Sequence, residues 1–223
     1  QEKSNRPTSD AVYTPSRFIS LANTLGEVPV ATAALGPVAG LPASRLVASH
    51  FSIMTESSLV LIAGPKVVKR ALNIDVTKEA LGGPEVHLKS GVINNLAKTE
   101  DDAFEQIKTF LSFVPDNAWT FPDAISSTDK EDRCDDLLID IIPKDRRRPY
   151  SVRKIITSLL DINDDQSTFF EIGKKYGPSL VTGLGRLNGQ SVGVIANDCM
   201  FYAGAMTTSA SKKLERFSDF CNS

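Results

Sequence analysis

Little in this chain announces chemistry by itself. Its 223 residues hold two histidines and three cysteines, and Cys134, Cys199 and Cys221 lie far apart. No His/Cys spacing matches a zinc site, so no metal is expected. Scattered cysteines fit free thiols in a reducing compartment better than a disulfide framework. No apolar run is long enough to span a bilayer, and no signal peptide is visible. A formal charge of −2 and a pI of about 5.8 give no electrostatic reason to expect nucleic acid. Walker A, GxGxxG and GxSxG patterns are all missing. What remains is ordinary for a soluble globular protein: 41% hydrophobic and 23% charged residues, enough to bury a sizeable core in one large domain or two small ones.

Periodicity predicts helices over 15–25 (Phe18, Leu21 and Leu25 on one face), 41–50 after Pro42, 65–73, 76–83 stopped by Gly82 and Gly83, 99–115, 151–161 and the end of 204–221. In 99–115 Thr99 is placed to cap, acidic residues fill the first turn, and Phe104, Ile107, Phe110 and Leu111 form the expected stripe. Strands are expected at 28–35, 51–55, 57–64, 167–172, 180–189 and 190–198. The run at 57–64 is continuously apolar, as suits a strand covered on both faces. Asn188-Gly189 marks a hairpin. GPVAG (36–40) reads as a tight turn, residues 1–12 as loose, and 116–136 as a linker. Strand–helix alternation in both halves argues α/β with layered ββα units. The final helix has no following strand to pack against, so the chain reads as cut from something longer.

Seven segments then occur in one order: GPVAG (36–40), LIAGPKVV (61–68), VTKEALGG (76–83), HLKSGV (87–92), DRRRPYSVRKII (145–156), FFEIGKKYGPSLVTGLGRLNGQSVGVIAND (169–198) and KKLERFSDFC (212–221). In this order they resemble the carboxyltransferase (beta) subunit of biotin-dependent acyl-CoA carboxylases of the acetyl-/propionyl-CoA type. The resemblance runs from about residue 15 to the end. It implies a crotonase (ClpP/crotonase-like) fold used twice. Residues 1–113 would be the second half of an acyl-CoA-binding domain, 114–149 the interdomain connection, and 150–223 the start of a biotin-side domain. It also implies a coenzyme A thioester as substrate, biotin on a partner protein or domain, a biotin carboxylase/biotin carrier subunit as partner, and a homo-oligomer with its site at the subunit interface. The cytoplasm or the mitochondrial matrix would be the compartment, without secretion, membrane or nucleic acid.

Carboxyl transfer of this kind implies a thioester enolate and no obligatory side-chain acid or base. Two oxyanions need backbone N–H donors instead, and glycine lets a backbone approach a ligand closely. Gly40 and Leu41 are the expected catalytic pair, although the family commonly carries Gly-Gly-Ala where this chain has Gly40-Leu41-Pro42-Ala43. Pro42 has no N–H to give, and Leu41 would narrow the acyl pocket. On the substrate side the resemblance points to Gly36, Pro37, Ala39, Gly64, Pro65, Gly82, Gly83, His87, Ser90 and Gly91, with His87 and Ser90 on an irregular segment. On the biotin side it points to Asn197, Gly204 and Ala205. By residue type alone, Gly64-Pro65 is equally a helix start, Gly82-Gly83 a helix stop, and Arg146-Arg147-Arg148 either a solvated run or an anchor for CoA phosphates. A biotin-independent acyl-CoA decarboxylase and a catalytically inert scaffold homologue stay open as alternatives.

Overall fold

The structure is a computed structural model that describes residues 17–222 apart from 131, 146 and 165. The segment expected to be loose, 1–12, and Arg146 of the arginine run lie outside the described residues.

Chain order begins with α1 (Arg17–Leu25), β1 (Ala31–Ala34), β2 (Pro37–Ala39), α2 (Leu41–Val47), β3 (Phe51–Thr55) and β4 (Leu59–Leu61). There follow α3 (Pro65–Leu72), α4 (Lys78–Gly82), α5 (Pro84–Ser90), β5 (Asn95–Ala97) and α6 (Glu100–Ser112). The second half holds α7 (Leu137–Asp140), α8 (Val152–Leu159), β6 (Ile162–Asn163), β7 (Gln166–Ser167), β8 (Phe170–Glu171), β9 (Leu180–Leu187), β10 (Gln190–Asn197) and α9 (Thr208–Asn222).

Two parallel arrangements make up the first half. β1, β3 and β5 form one sheet with β3 in the middle. β2 and β4 form a second, with Val38 opposite Val60 and Ala39 opposite Leu61. Every residue of β3 is buried, as a central parallel strand requires. In the second half β8, β9 and β10 make an antiparallel sheet turned at Asn188 and Gly189, both at positive φ.

The two halves share a core. Phe51, Ile53, Phe110 and Phe113 cluster with Ile172, Leu184 and Phe217, and the rings of Phe51 and Phe110 stack at 4.9 Å. The segment between α6 and α8 carries little regular structure but is tied down. The Arg133 guanidinium holds Asp129 and donates to the carbonyls of Ser158 and Leu160 at 2.8 and 3.0 Å.

Several expectations need correction. GPVAG is not a turn throughout: residues 37–39 are extended and pair with β4, and only Gly40 turns, at φ +68°. The apolar run at 57–64 is a strand only over Leu59–Leu61; beyond it Ile62 is 87% exposed, so covering on both faces fails there. α6 buries Ala103 and Phe110 with Ile107 beside them, while Phe104 and Leu111 face outward. The true stripe is rotated toward the residues that meet β3. His87 and Ser90 lie in a helix, because Pro84 opens α5 and Gly91, at φ +77°, ends it. The expected strand 167–172 is broken into β7 and β8. The last helix does have a sheet beneath it: α9 packs on β9, and Phe217 enters the shared core.

Candidate functional site

Gly40 is the hinge between β2 and α2. Its N–H donates to the Leu61 carbonyl at 2.9 Å, and its own carbonyl accepts from Ala43 and Ser44 at 3.0 and 3.3 Å. Its backbone donor is therefore engaged inside the protein. At φ +68° and ψ −133° it occupies a conformation that L side chains avoid, while a Cβ there would meet nothing within 4 Å. The following N–H, that of Leu41, finds no acceptor among the described residues. Its side chain is 49% exposed. Of the expected catalytic pair, then, Gly40 sets the turn and Leu41 offers the free donor. Pro42 contributes none.

Gly36, Pro37 and Ala39 run into this hinge: Gly36 accepts from Leu59, and Pro37 and Ala39 pair with Leu59 and Leu61. Gly64 and Pro65 start α3, with the Gly64 carbonyl taking the N–H groups of Val67 and Val68. No residue of α3 is buried, and Val67 and Leu72 stand 59% and 65% exposed. Gly82 ends α4 against β4. A Cβ on it would lie 2.3 Å from both the Val60 oxygen and a Leu61 methyl, so glycine is a packing requirement here. Gly83 closes α4 and opens α5. His87 Nε2 lies 2.7 Å from the Val60 carbonyl. Ser90 Oγ is exposed and donates to the His87 carbonyl, and Gly91 packs under the Tyr176 ring. These residues therefore gather around β4 and the hinge it holds.

The other expected cluster also comes together. Asn197 Nδ2 donates to the Gly204 carbonyl at 2.7 Å, and the Ala205 N–H donates to Tyr202. Between them Tyr202, Ala203 and Gly204 take positive φ in succession. Two consecutive non-glycine residues in that region signal stored strain. The N–H groups of Tyr202 and Ala203 have no acceptor among the described residues, and Met200, Phe201, Tyr202 and Met206 are exposed around the turn.

Arg147 and Arg148 sit exposed in a turn closed by Asp145. A cleft of about 610 Å³ lies elsewhere, between Trp119, Phe121, Val192 and Cys221, and contains none of the expected site residues.

A profile of the carboxyl transferase domain matches residues 16–223. The chain belongs to the carboxyl transferase domain family. It is 34% identical over 200 residues to the propionyl-CoA carboxylase carboxyltransferase subunit of Haloferax mediterranei, covering 89% of this chain and 38% of that protein. It is 32% identical to the methylmalonyl-CoA decarboxylase subunit alpha of Veillonella parvula, covering 92% of this chain and 40% of that one. The crystal structure of transcarboxylase 12S, a hexamer described with methylmalonyl-coenzyme A bound, superposes with a TM-score of 0.85 at 33% identity, covering 92% of this chain and 39% of the other. The fold is thus the crotonase-like α/β fold, and the chain spans about two fifths of the length of these carboxyl transferase relatives. No helix among the described residues is long and apolar enough to cross a membrane.

Reading residue types alone missed the polar groups that stand behind these turns in the carboxyl transferase fold. Arg153 joins Glu171 and Asp198, which lie 18 and 45 residues away, so no local pattern announces it. Lys213 is 6% exposed, and its ammonium donates to the Leu180 carbonyl at 2.7 Å. Burial pulls its pKa from 10.5 down to about 8. Below that value both folded and unfolded chains carry the charge, and the fold bears the cost of burying it. Between about 8 and 10.5 the folded lysine is neutral while the unfolded one is still charged, so stability rises with pH by up to ~1.4 kcal/mol per unit. Urea midpoints from about pH 7 to about pH 10 should show the native chain gaining on Lys213→Met by roughly 1–3 kcal/mol. A constant difference would mean that burial leaves the ammonium unpenalised.

Proposed function

We propose that this chain is part of the carboxyltransferase component of a biotin-dependent acyl-CoA carboxylase, and that it acts on a short-chain acyl-CoA. The observation that carries the reading is the Leu41 N–H, unpartnered among the described residues and held at the Gly40 hinge in a carboxyl transferase domain.

In this reading the Leu41 N–H donates to the thioester oxygen as the α-proton leaves and negative charge gathers there. A preformed donor stabilises such charge without reorganising at the moment of reaction. α2 has only seven residues, so the N–H group itself, not a long helix dipole, supplies the effect. Leu41 narrows the acyl pocket, which favours a short chain. The rim of Met200, Phe201, Tyr202 and Met206 and the free N–H groups of Tyr202 and Ala203 fit a largely apolar bicyclic ring with one polar ureido oxygen. Bound biotin supplies the carboxyl group and, once relieved of it, the base for the α-proton. Asn197, Gly204 and Ala205 keep the shape of that turn. The outward apolar residues of α3 and of the 200–206 turn support a homo-oligomer in which neighbouring subunits close the two halves of the site. A biotin carboxylase/biotin carrier partner would deliver the carboxyl group, in the cytoplasm or the mitochondrial matrix. The domain division at 113 and 149 belongs to the same proposal.

The test runs the reaction in reverse. The protein is incubated with malonyl- or methylmalonyl-CoA, with and without free biotin. Loss of the carboxyl group only with biotin is the expected result. Loss without biotin would replace it with a biotin-independent decarboxylase, a reading that the Leu41-Pro42 sequence in the hinge motivates. No loss in either arm, from this chain and from any longer protein that carries it, would overturn the enzyme reading and leave a scaffold.

A further inference from the structure

Resting on the reading of Gly40–Leu41 as an oxyanion-stabilising turn, we propose that His87 is a positioning residue for that turn and acts through β4 without touching the substrate.

The hinge is held on one strand. The Gly40 N–H reaches the Leu61 carbonyl at 2.9 Å, and β2 and β4 share only three register pairs. So short a pair has little stability of its own, and the position of Leu61 depends on what braces β4 from its other side. Successive carbonyls of a strand point to opposite edges. Leu61 turns its oxygen to Gly40, and the neighbouring Val60 turns its oxygen to α4 and α5.

There two features meet the Val60 oxygen. Gly82 brings the α4 backbone so close that a Cβ would sit 2.3 Å from it. His87 lies 2.7 Å from it through Nε2. A carbonyl only accepts, so this ring nitrogen carries the proton and donates. The other ring nitrogen, Nδ1, is buried without a hydrogen-bond partner among the described residues. Among the described residues the imidazole therefore has one hydrogen bond, to β4, and its second nitrogen is buried. That arrangement suits a brace and not a general base. α5 is itself fixed at its ends by the Gly83 and Gly91 caps and by buried Leu88. The connection runs from α5 through His87 to Val60, along one residue of β4, and from Leu61 to Gly40 and the Leu41 donor.

A donor displaced by a fraction of an ångström stabilises the transition state less while leaving ground-state binding nearly alone. The test compares His87→Ala and His87→Gln, because a glutamine amide can reach the same carbonyl with an N–H. Turnover of methylmalonyl-CoA with free biotin gives kcat and KM, and hydrogen exchange gives the protection of the Gly40 amide. The expected result for His87→Ala is a fall in kcat of about 10- to 100-fold with KM within about twofold, together with exchange at Gly40 at least about tenfold faster. His87→Gln should recover most of both. A rise in KM alone, or a fall in kcat with Gly40 protection unchanged, would overturn the proposal in favour of direct substrate contact. Unchanged values throughout would overturn it outright. If His87→Ala does not fold, His87→Leu, which fills the space without a donor, takes its place with the same expectations. If the native protein turns over no acyl-CoA, the functional reading fails, while exchange at Gly40 still decides whether His87 holds the hinge.

Discussion

On the proposed reading, Gly40→Val will lower carboxyl transfer by at least about 100-fold, the effect of losing an oxyanion donor, and the protein will stay folded. Both halves of this expectation come from one residue. At φ +68° a β-branched side chain is excluded from the native conformation, so the hinge must change its backbone angles and re-aim the Leu41 N–H. Yet a Cβ at this position meets no atom within 4 Å, so the substitution brings no clash with the rest of the fold. The cost is confined to the backbone, about 1–3 kcal/mol, against a total stability of about 5–15 kcal/mol. Gly40→Ala should fall between, with the same disfavoured φ and no branching. Cooperative thermal melts within about 2–12 °C of the native chain, read beside turnover, check the pair of claims. Full activity in the valine variant would remove Gly40 from the site.

That hinge also shows how far residues can be read without coordinates. Gly40 could be singled out because a glycine between a strand and a helix is a local signal. That its N–H is engaged was not legible, because its Leu61 partner is 21 residues away in the chain. β3 was legible to its ends, since a five-residue run buried on both faces has few other conformations open to it. The α5 helix carried the Pro84 and Gly91 signals at its two ends, but with seven residues it had too little periodicity to outweigh the neighbouring glycines. On α6 half of the expected stripe holds: Ile107 and Phe110 meet the core, and Phe104 and Leu111 do not. Phe104 and Leu111 are as apolar as Ile107, and only the position of β3 decides which of them are covered. The order of motifs pointed to Asn197, Gly204 and Ala205, which the structure gathers in one turn. The left-handed Tyr202 and Ala203 were not legible, because neither residue type favours that conformation.

The groups that anchor the start of this turn give the largest expected loss of stability. Arg153→Met will destabilise the chain by about 3–5 kcal/mol, the range for removing one partner of a buried ion pair. For a protein of this size that is about 6–20 °C in Tm. Arg153 leaves α8 and grips Glu171 of β8 through Nε, at 2.9 Å, and through a second guanidinium nitrogen at 2.6 Å. A third nitrogen holds Asp198, just past β10. The side chains of Glu171 and Asp198 are 14% and 1% exposed, so neither carboxylate can turn to water when the cation goes. The Glu171 carboxylate in turn holds the guanidinium above its usual pKa range, so the arginine stays charged. Asp198 does more than pair: its carboxylate accepts from the Met200 N–H at 3.0 Å and its carbonyl from Phe201 at 3.2 Å, so it starts the strained turn. Losing Arg153 should therefore loosen residues 199–205 before the sheet melts, seen as faster exchange of the Gly204 and Ala205 amides. Adding Glu171→Gln and Asp198→Asn to the same chain removes the orphaned charges and should return much of the lost stability. A single Arg153→Met variant within about 1 kcal/mol of the native chain would instead place the triad with solvent-screened surface pairs, and the turn would need another anchor.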